Sequence, residues 1–401
     1  MKTSSASSIE KMNIPQELLI DSCGNKNSLS IGIPREYLEK EKRLAFTPEA
    51  IDLITQAGHK VFLEEGAGTG INYSDKEYAE SGAEIVSKEK AFECDVIFKI
   101  APPTEEEIAL IKRKATVCSM LQLPDMTAKN IRAMCEKSLN AIAYELITNG
   151  SSFPIRCSIS EIEGAASISV AAEFLSNDRG GKGILMGGVP GVSPTEVVII
   201  GAGTAGTVAA KAALSLGAAV KVFDDEISKL RQLQNNLSQN VFTSVFQPNV
   251  LVNAFKSADV VIGAMRYIDD PVRYIISEDV IRTMKKGSLI IDLRINRGGC
   301  FETTCYLRKD QPAVFDKYGI KHYCTPNLSS RVARTTAMAL SNILTPWVLD
   351  MGKTGGINQS AKSDVRYNSG LYIYSGKMVN PYVASHFNLP ASDINLYLSV
   401  F

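Results

Sequence analysis

The 401-residue sequence lacks the features that define several classes of protein. Its eight cysteines form no Cys-x-x-Cys pair and only three histidines are available as co-ligands, which argues against a metal site and favours reduced thiols in a cytoplasm. Basic and acidic residues, 43 of each, leave no net charge to attract nucleic acid or an anionic membrane surface. No apolar run approaches the roughly 20 residues that span a bilayer, and the polar amino terminus lacks the apolar core of a signal peptide. We therefore expect a cytoplasmic protein whose ligands are small molecules.

An alternation of short apolar runs with amphipathic stretches extends through most of the chain. Residues 29–33, 47–54 and 59–63 open the series with a strand, helix, strand pattern. This alternation predicts an α/β fold in which helices cover mostly parallel sheets. The Gly- and Pro-rich segment 180–192 precedes a second series over 196–327, which indicates two lobes.

Two long helical patterns predict where the chain passes from one lobe to the other. Residues 160–177 are largely small and apolar, and residues 335–351 again have the pattern of one long helix. We therefore expect a flexible leader, a discontinuous first domain and an inserted second domain. These are residues 1–28, residues 29–155 with 328–401, and residues 156–327.

The most specific local signal is the turn Gly201-Ala-Gly203-Thr-Ala-Gly206, between a predicted strand and a predicted helix. A G-x-G-x-x-G turn in this context permits a tight turn, lets the backbone approach a pyrophosphate and packs the helix close to the strand. The phosphates lie at the amino terminus of the helix, where N–H groups and the helix dipole favour negative charge. The next predicted strand ends at Asp224, where an acceptor for the adenosine ribose hydroxyls is expected. Because a 2′-phosphate would meet like charge there, these residues predict a Rossmann domain that prefers NAD to NADP.

Several segments spread over nearly the whole chain after residue 29 match one known family. They include Gly32-Ile-Pro-Arg-Glu36, Arg43-Leu-Ala-Phe-Thr-Pro48, Gly58-His-Lys-Val61, Gly187-Gly-Val-Pro-Gly191, Ile199-Ile-Gly-Ala-Gly-Thr-Ala-Gly206 and Gly298-Gly-Cys-Phe-Glu302. The sequence resembles the alanine dehydrogenases together with the NAD-binding subunit of the proton-translocating transhydrogenases. The resemblance implies a Rossmann NAD domain inserted into a Rossmann-like or flavodoxin-like substrate domain, and a homo-oligomer, usually a hexamer. It also implies reversible oxidative deamination of L-alanine to pyruvate and ammonium with NAD, so the expected substrate is an amino acid or a 2-oxo acid.

The resemblance implies that residues of this chain at positions matching the family's cofactor-binding residues contact NAD. These are Ser160, Gly201, Gly203, Thr204, Ala205, Gly206, Asp224, Lys229, Gly263, Ala264, Met265, Asn327 and Leu328. On the substrate side, Arg43 matches the arginine that holds the substrate carboxylate, a role that suits its planar fork of donors. Three other family positions are altered, because a lysine falls on Ala101, the catalytic histidine on Gln122 and the active-site aspartate on Asn296. Together with Lys99, a candidate proton-transfer group, Arg43, Gln122 and Asn296 form the predicted catalytic set.

These altered positions leave the reaction open. Proton transfer near neutral pH needs a titratable group such as histidine, and the amides of Gln122 and Asn296 cannot supply one. The transhydrogenase subunit also lacks the lysine and the histidine. A transhydrogenase-like NAD(H) subunit with a membrane partner is therefore one alternative, and a catalytically silent NAD(H)-binding homologue is another. Glu145, which closes a predicted strand, is a further candidate base.

Arginines are frequent in the loops expected at the carboxyl ends of the second-domain strands. They are Arg266, Arg294, Arg297, Arg331 and Arg334. One hypothesis is that some of them bind an additional anionic group, so that the substrate is larger or more acidic than alanine. The competing interpretation is solvated loops or pairing at a subunit interface. His59, His322 and Cys300 are expected to be scaffold positions.

Overall fold

The chain forms two compact units. The computed structural model describes residues 28–37, 41–265, 275–295, 298–304 and 312–398. The first unit comprises the described residues up to Arg156 and from Ala333 onward, and the second is Cys157–Val332. Each unit contains one mostly parallel sheet with helices, which confirms the predicted α/β fold class. Of the predicted leader, residues 1–28, all but Ser28 lie outside the described residues.

The first unit begins with six strands that alternate with five helices. The strands are β1 (Ser30–Ile33), β2 (Lys60–Glu64), β3 (Glu84–Val86), β4 (Val96–Phe98), β5 (Thr116–Ser119) and β6 (Asn140–Ala143). The helices are α1 (Pro48–Gln56), α2 (Asp75–Glu80), α3 (Lys88–Phe92), α4 (Glu105–Leu110) and α5 (Ala128–Glu136). Ser74 and Thr104 begin α2 and α4 with capping boxes, because each side chain accepts the N3 amide hydrogen and the N3 glutamate accepts the N-cap amide hydrogen.

The second unit alternates strands and helices in the same way. A long helix, α6 (Pro154–Leu175), leads into it and starts six residues before the predicted helix 160–177, at a proline suited to the first helical position. The helices that follow are α7 (Thr204–Ser215), α8 (Ile227–Asn236), α9 (Pro248–Ser257) and α10 (Glu278–Ile281). The strands are β7 (Glu196–Ile200), β8 (Ala219–Phe223), β9 (Phe242–Ser244), β10 (Val260–Gly263), β11 (Leu289–Asp292), β12 (Val314–Lys317) and β13 (Ile320–Tyr323).

The carboxy-terminal segment returns to the first unit. It consists of α11 (Ala333–Thr354), α12 (Ile357–Ser363), β14 (Leu371–Tyr374), β15 (Lys377–Met378), α13 (Pro381–His386) and α14 (Asn395–Leu398). Helix α11 contains the predicted helix 335–351, and β14 adds to the first sheet by antiparallel pairing with β6. None of the helices in the described part of the chain is long and apolar enough to cross a membrane.

Both sheets have the strand order of a doubly wound fold. The first runs β15-β14-β6-β5-β4-β1-β2-β3, and the second runs β12-β13-β11-β10-β7-β8-β9. In each sheet the order reverses beside the first strand, between β1 and β4 and between β7 and β10. Ligands of such sheets bind at the carboxyl ends of the strands near this reversal. Ligand-binding residues are therefore expected in the loops after β1, β4, β7 and β10.

Two of the three histidines are buried scaffold residues. His59 accepts a hydrogen bond at Nδ1 from the Leu29 N–H group, at 3.3 Å. His322 lies in β13 with no exposed surface, stacks on Phe315 at 4.8 Å between ring centroids, and places Nε2 3.0 Å from Thr303 Oγ1. Burial lowers the pKa of His322 to about 4. The imidazole is therefore held in its neutral form within the core of the second unit.

Acid is expected to destabilise the fold through His322. Between pH 6.5 and about pH 4 the unfolded chain binds a proton at this residue that the folded chain excludes, so the unfolding free energy falls by about 3 kcal/mol as pH decreases across this window. A His322→Gln variant should lose less stability than wild type over the same window, measured by urea unfolding. His386→Gln, at the exposed end of α13, should follow wild type. The same pH dependence in all three proteins would contradict this role of His322.

Candidate functional site

Three glycines shape the turn between β7 and α7, and each has a different environment. Gly201 has a φ of +109°, and a Cβ atom there would lie 2.6 Å from the Met265 nitrogen. A Cβ atom on Gly206 would lie 1.8 Å from the Gly201 carbonyl oxygen. A Cβ atom on Gly203, by contrast, would meet no atom within 4 Å. Packing therefore requires glycine at 201 and 206, whereas Gly203 faces open space.

This open space lies at the amino terminus of α7. Gly203 is the N-cap residue and, as a glycine, has no side chain to make a capping hydrogen bond. Thr204 is exposed and Ala205 is half-buried. The N–H groups of a first helical turn have no partner within the helix and attract negative charge. The turn therefore fits a diphosphate that approaches the Gly203 backbone and accepts hydrogen bonds from these amides.

Asp224 follows β8 and anchors the glycine turn. Its carboxylate accepts hydrogen bonds from the backbone N–H groups of Ala202 and Glu226, at 2.7 and 2.9 Å. Burial raises the pKa of Asp224, and the two backbone hydrogen bonds oppose that shift. Lys229 forms an ion pair with Glu226 at 2.5 Å. The structure thus gives Asp224 a role in holding the turn, and its hydrogen bond to a ribose stays a prediction.

Helix α6 approaches the start of α7 within the second unit. A Cβ atom on Gly164 would lie 2.3 Å from the Ala205 carbonyl oxygen, so only glycine permits this close approach. Ser160 lies one helical turn before Gly164, on the same face of α6. The Ser329 hydroxyl donates to Glu163 on the same helix, at 3.1 Å and 166 residues apart in sequence. Sequence analysis missed this pair because no local pattern links residues so far apart.

The predicted cofactor residues after β10 lie alongside the glycine turn. The Ala264 N–H group donates to the Ile200 carbonyl oxygen at 2.8 Å, which joins the end of β10 to the end of β7. Gly263 is the last residue of β10, and Met265 is buried against Gly201. The sheet thus brings together the glycine turn and residues 263–265, which the family resemblance assigns to contacts with the same cofactor.

Asn327 and Leu328 follow β13. Asn327 has a φ of +53°, and its carbonyl oxygen accepts a hydrogen bond from the Ser330 N–H group at 2.8 Å. The Leu328 side chain is buried in the hydrophobic core of the second unit. Leu328 is therefore a core residue whose backbone alone is available to a ligand.

A buried carboxylate that the sequence analysis did not single out, Asp292, ends β11. It accepts hydrogen bonds from the Arg294 and Cys300 N–H groups at 2.9 and 2.8 Å, and from the Thr304 hydroxyl at 2.5 Å. Burial raises the pKa of Asp292 and also holds the pKa of the Cys300 thiol well above its ordinary value. Asp292 therefore orders the chain after β11, and Cys300 is a buried scaffold residue. Asn296, predicted in the catalytic set, lies outside the described residues.

In the first unit, Arg43 lies between β1 and α1 and is only 2% exposed. Its Nε and Nη2 atoms donate to the two carboxylate oxygens of Glu41, at 2.7 and 2.6 Å. A buried guanidinium that holds a carboxylate through two parallel hydrogen bonds has the geometry of a carboxylate clamp. In this structure the carboxylate is that of Glu41, two residues earlier, a partner that sequence analysis did not predict.

Lys99, after β4, is enclosed by two carboxylates. Its Nζ atom lies 3.2 Å from Glu107 Oε1 and 3.5 Å from Glu36 Oε2, with no exposed side-chain surface. Glu36 also accepts hydrogen bonds from the Ile100 and Ala101 N–H groups, at 2.6 and 3.2 Å. Burial raises the pKa of Glu36, and the charge of Lys99 opposes that shift. These contacts give Lys99 a structural role as the cation that balances two buried carboxylates.

Gln122 and Glu145 follow β5 and β6 at the same edge of the sheet. Gln122 is half-buried, and its Nε2 atom has no hydrogen-bond partner within the described part of the chain. Glu145 is buried and accepts a hydrogen bond from the Leu121 N–H group at 2.9 Å. The Tyr144 hydroxyl donates to the Lys99 carbonyl oxygen at 2.9 Å. The first sheet therefore places Lys99, Gln122 and Glu145 after the carboxyl ends of three neighbouring strands, β4, β5 and β6.

Two of the predicted loop arginines have partners within their own units. Arg331 forms an ion pair with Glu173 at 2.6 Å in the second unit. Arg334 lies over the ring of Tyr73 at 4.0 Å in the first unit. These contacts favour the competing interpretation of ordinary loop pairing for these two residues. Two further arginines, Arg266 and Arg297, lie outside the described residues.

Comparison with known proteins decides the family. The model of the alanine dehydrogenase/PNT amino-terminal domain matches residues 32–162, and that of the carboxy-terminal domain matches residues 167–381. The chain belongs to the alanine dehydrogenase/PNT family. This finding confirms the resemblance drawn from the glycine turn and the other quoted segments.

Relatives of this alanine dehydrogenase/PNT family member cover nearly all of the chain. Alanine dehydrogenase 2 of Staphylococcus aureus strain USA300 is 36% identical over 368 residues, which are 91% of this chain and 98% of the relative. A solved L-alanine dehydrogenase structure matches with a TM-score of 0.82 and 31% identity over 90% of this chain and 99% of its own. A transhydrogenase from Sinorhizobium meliloti matches with a TM-score of 0.74 and 22% identity over 88% and 99% of the two chains, which shows a shared fold.

In this alanine dehydrogenase/PNT family member, loss of the Lys99 charge is expected to cost stability. A Lys99→Met variant leaves Glu36 and Glu107 buried without their cation, so the unfolding free energy should fall by about 3–5 kcal/mol at neutral pH. The loss should shrink in mild acid, because burial raises the pKa of Glu36 and the variant lacks the Lys99 charge that opposes this shift. Lys112→Met is the matched control, because Lys112 pairs with Asp95 at the surface and should contribute less than about 1 kcal/mol. Equal losses in the two variants, measured by urea unfolding, would rule out a buried structural cation.

Proposed function

We propose that this protein is an NAD-dependent oxidoreductase of the alanine dehydrogenase type, in which the second unit binds NAD and the first binds the carboxylate of an amino acid or 2-oxo acid. The observation that carries the proposal is the open position at Gly203, the N-cap glycine at the amino terminus of α7. This arrangement suits a dinucleotide because it offers backbone amides and space in the same place. The relatives named alanine dehydrogenase support the same activity.

Binding of NAD would use the residues of the glycine turn and Asp224. The amides of Thr204 and Ala205 would hold the pyrophosphate, and the Asp224 carboxylate would accept a ribose hydroxyl. Its negative charge disfavours the 2′-phosphate of NADP. When bound, NAD supplies the acceptor for the hydride that leaves the substrate. The residues present therefore fit the cofactor.

The proposed binding of the substrate depends on Arg43. A guanidinium buried at the carboxyl ends of the strands can hold a substrate carboxylate in a fixed orientation. Gln122 has a buried amide group without a protein partner among the described residues, and this N–H donor suits the substrate carbonyl or carboxylate. Ala101 and Gln122 cannot move protons at neutral pH. We therefore propose a substrate that is bound and oriented as in alanine dehydrogenases, with L-alanine and pyruvate as the reference pair.

A second candidate function is NAD(H) binding without turnover. It is favoured by the contacts of Lys99, whose ammonium group is enclosed by Glu36 and Glu107 rather than open to a substrate. A protein of this kind would act as a sensor or an assembly component. For either candidate we propose a homo-oligomer, a hexamer by resemblance, located in the cytoplasm. We also propose residues 156–327 as the NAD domain and residues 29–155 with 328–401 as the substrate domain.

Substitution at Gly203 tests the nucleotide site. A Gly203→Val variant places its side chain in open space, so it should fold with an unchanged unfolding temperature. The same side chain fills the position of the pyrophosphate, and NADH affinity should fall about 100-fold, measured by NADH fluorescence. Lys211→Ala, on the exposed face of the same helix, is the control and should bind NADH like wild type. Unchanged NADH affinity in Gly203→Val would refute the proposed nucleotide site.

Turnover separates the two candidate functions. Wild-type protein with NAD and a panel of L-amino acids should produce NADH if the chain is a dehydrogenase. A Gln122→His variant introduces a group that titrates near neutral pH, so kcat/KM for L-alanine should rise and should increase with pH around 6.5. If both proteins bind NADH but neither oxidises any of the amino acids, the result would favour the second candidate function, NAD(H) binding without turnover.

A further inference from the structure

A cavity of about 400 Å³ lies in the first unit beside Arg43. Three segments form it: residues 35–37 after β1, residues 41–43 before α1, and the 3₁₀ turn Ala67–Ile71 after β2. Its lining is charged and small, and consists of Arg35, Glu36, Tyr37, Glu41, Lys42, Arg43, Gly66, Ala67, Thr69 and Gly70. It therefore extends from the pair of Arg43 and Glu41 to the 3₁₀ turn after β2.

Close backbone packing fixes one wall of the cavity. A Cβ atom on Gly70 would lie 2.6 Å from the Lys42 carbonyl oxygen, so the 3₁₀ turn rests directly on the chain that leads to Arg43. The Gly66 N–H group donates to the Asp75 carboxylate at 3.0 Å, and the Thr69 hydroxyl donates to the Gly66 carbonyl oxygen at 2.8 Å. The wall is thus ordered by its own hydrogen bonds.

Cations and carboxylates both line the cavity. Among the described residues, its lining contains three cations, Arg35, Lys42 and Arg43, and two carboxylates, Glu36 and Glu41. Each carboxylate already has a buried cationic partner, because Arg43 holds Glu41 and Lys99 lies 3.5 Å from Glu36. The exposed side chain of Arg35 adds a further guanidinium at the cavity. Two further carboxylates, Glu64 and Asp75, accept hydrogen bonds from the backbone N–H groups of Arg35 and Gly66. An anion entering here would therefore be attracted by the Arg35 guanidinium itself rather than by an excess of positive charge.

The cavity is also larger than the volume that the side chain of alanine would fill. Pockets of roughly 300–1,000 Å³ accommodate whole small-molecule ligands, and a methyl side chain fills a small part of such a volume. We propose that this cavity binds the side-chain carboxylate of a dicarboxylic amino acid or 2-oxo acid, with Arg35 as its principal ligand and Lys42 adding positive charge. This inference rests on the proposed function, because the same substrate presents its other carboxylate to Arg43. It makes Arg35 a specificity-determining residue of the first unit.

Matched ligands test the proposal in the full-length protein saturated with NADH. The probes are 2-oxoglutarate and 2-oxopentanoate, which have the same carbon chain and differ only in the second carboxylate. Calorimetric titration of wild type should give an affinity for 2-oxoglutarate about tenfold higher than for 2-oxopentanoate. In Arg35→Gln that preference should fall to about twofold or less, while 2-oxopentanoate binds as in wild type. Lys60→Gln, an exposed substitution at the opposite end of β2, is the control and should keep the wild-type preference.

The outcomes are distinguishable from failure of the proposed function. Absence of NADH binding would overturn the proposed function itself. Normal NADH binding with equal affinities for the two oxo acids in wild type would overturn the dicarboxylate site alone. Retention of the preference in Arg35→Gln would remove Arg35 as its ligand and overturn the assignment. Inorganic phosphate provides the last comparison, because equal competition by phosphate and 2-oxoglutarate would indicate an unspecific anion site and contradict the proposal.

Discussion

The close packing of the glycine turn is the constraint on which the second unit depends. At Gly201 and Gly206 an added Cβ atom would come within 3 Å of backbone atoms, so the turn, the start of α7 and the end of β10 have only one arrangement in which all three fit. Asp224 then ties Ala202 to the end of β8. A Cβ atom on Gly203 would meet no atom within 4 Å, so the turn is open at this position. The opening proposed for a phosphate is thus part of the same packed turn.

In the first unit the corresponding constraint is that buried charges must be paired. Lys99 balances Glu36 and Glu107, and Arg43 balances Glu41. The charged framework of the first unit thus contains a buried guanidinium that can hold a carboxylate, whereas the family resemblance implies that alanine and glutamine stand at the positions of the family's lysine and histidine. The geometry therefore supports the proposed binding of a carboxylate more directly than it supports proton transfer. This contrast is why two candidate functions remain distinct and separable by experiment.

The glycine turn and the elements around it could be predicted from sequence because they are close along the chain. Apolar periodicity located β7, α7 and β8, and the glycine spacing located the turn. The hydrogen bond from Ala202 to Asp224 spans 22 residues, within one strand, helix, strand unit. The charged framework of the first unit could not be predicted in the same way. Glu36 meets Ile100 across 64 residues, and that contact exists only because β1 and β4 are neighbours in the sheet.

The pairing of Arg43 with Glu41 also bears on which substrates suit this site. A carboxylate that binds Arg43 must share the guanidinium with Glu41 or displace it, and a displaced Glu41 needs a new partner because an unpaired buried charge is strongly unfavourable. A monocarboxylate gains one ion pair in this exchange and disturbs another, so its net gain is small. A dicarboxylate of the kind proposed would meet the same competition from Glu41 and would form a second ion pair at Arg35. Any preference for ligands with two anionic groups would therefore come from Arg35, because Glu41 acts equally on the first carboxylate of both.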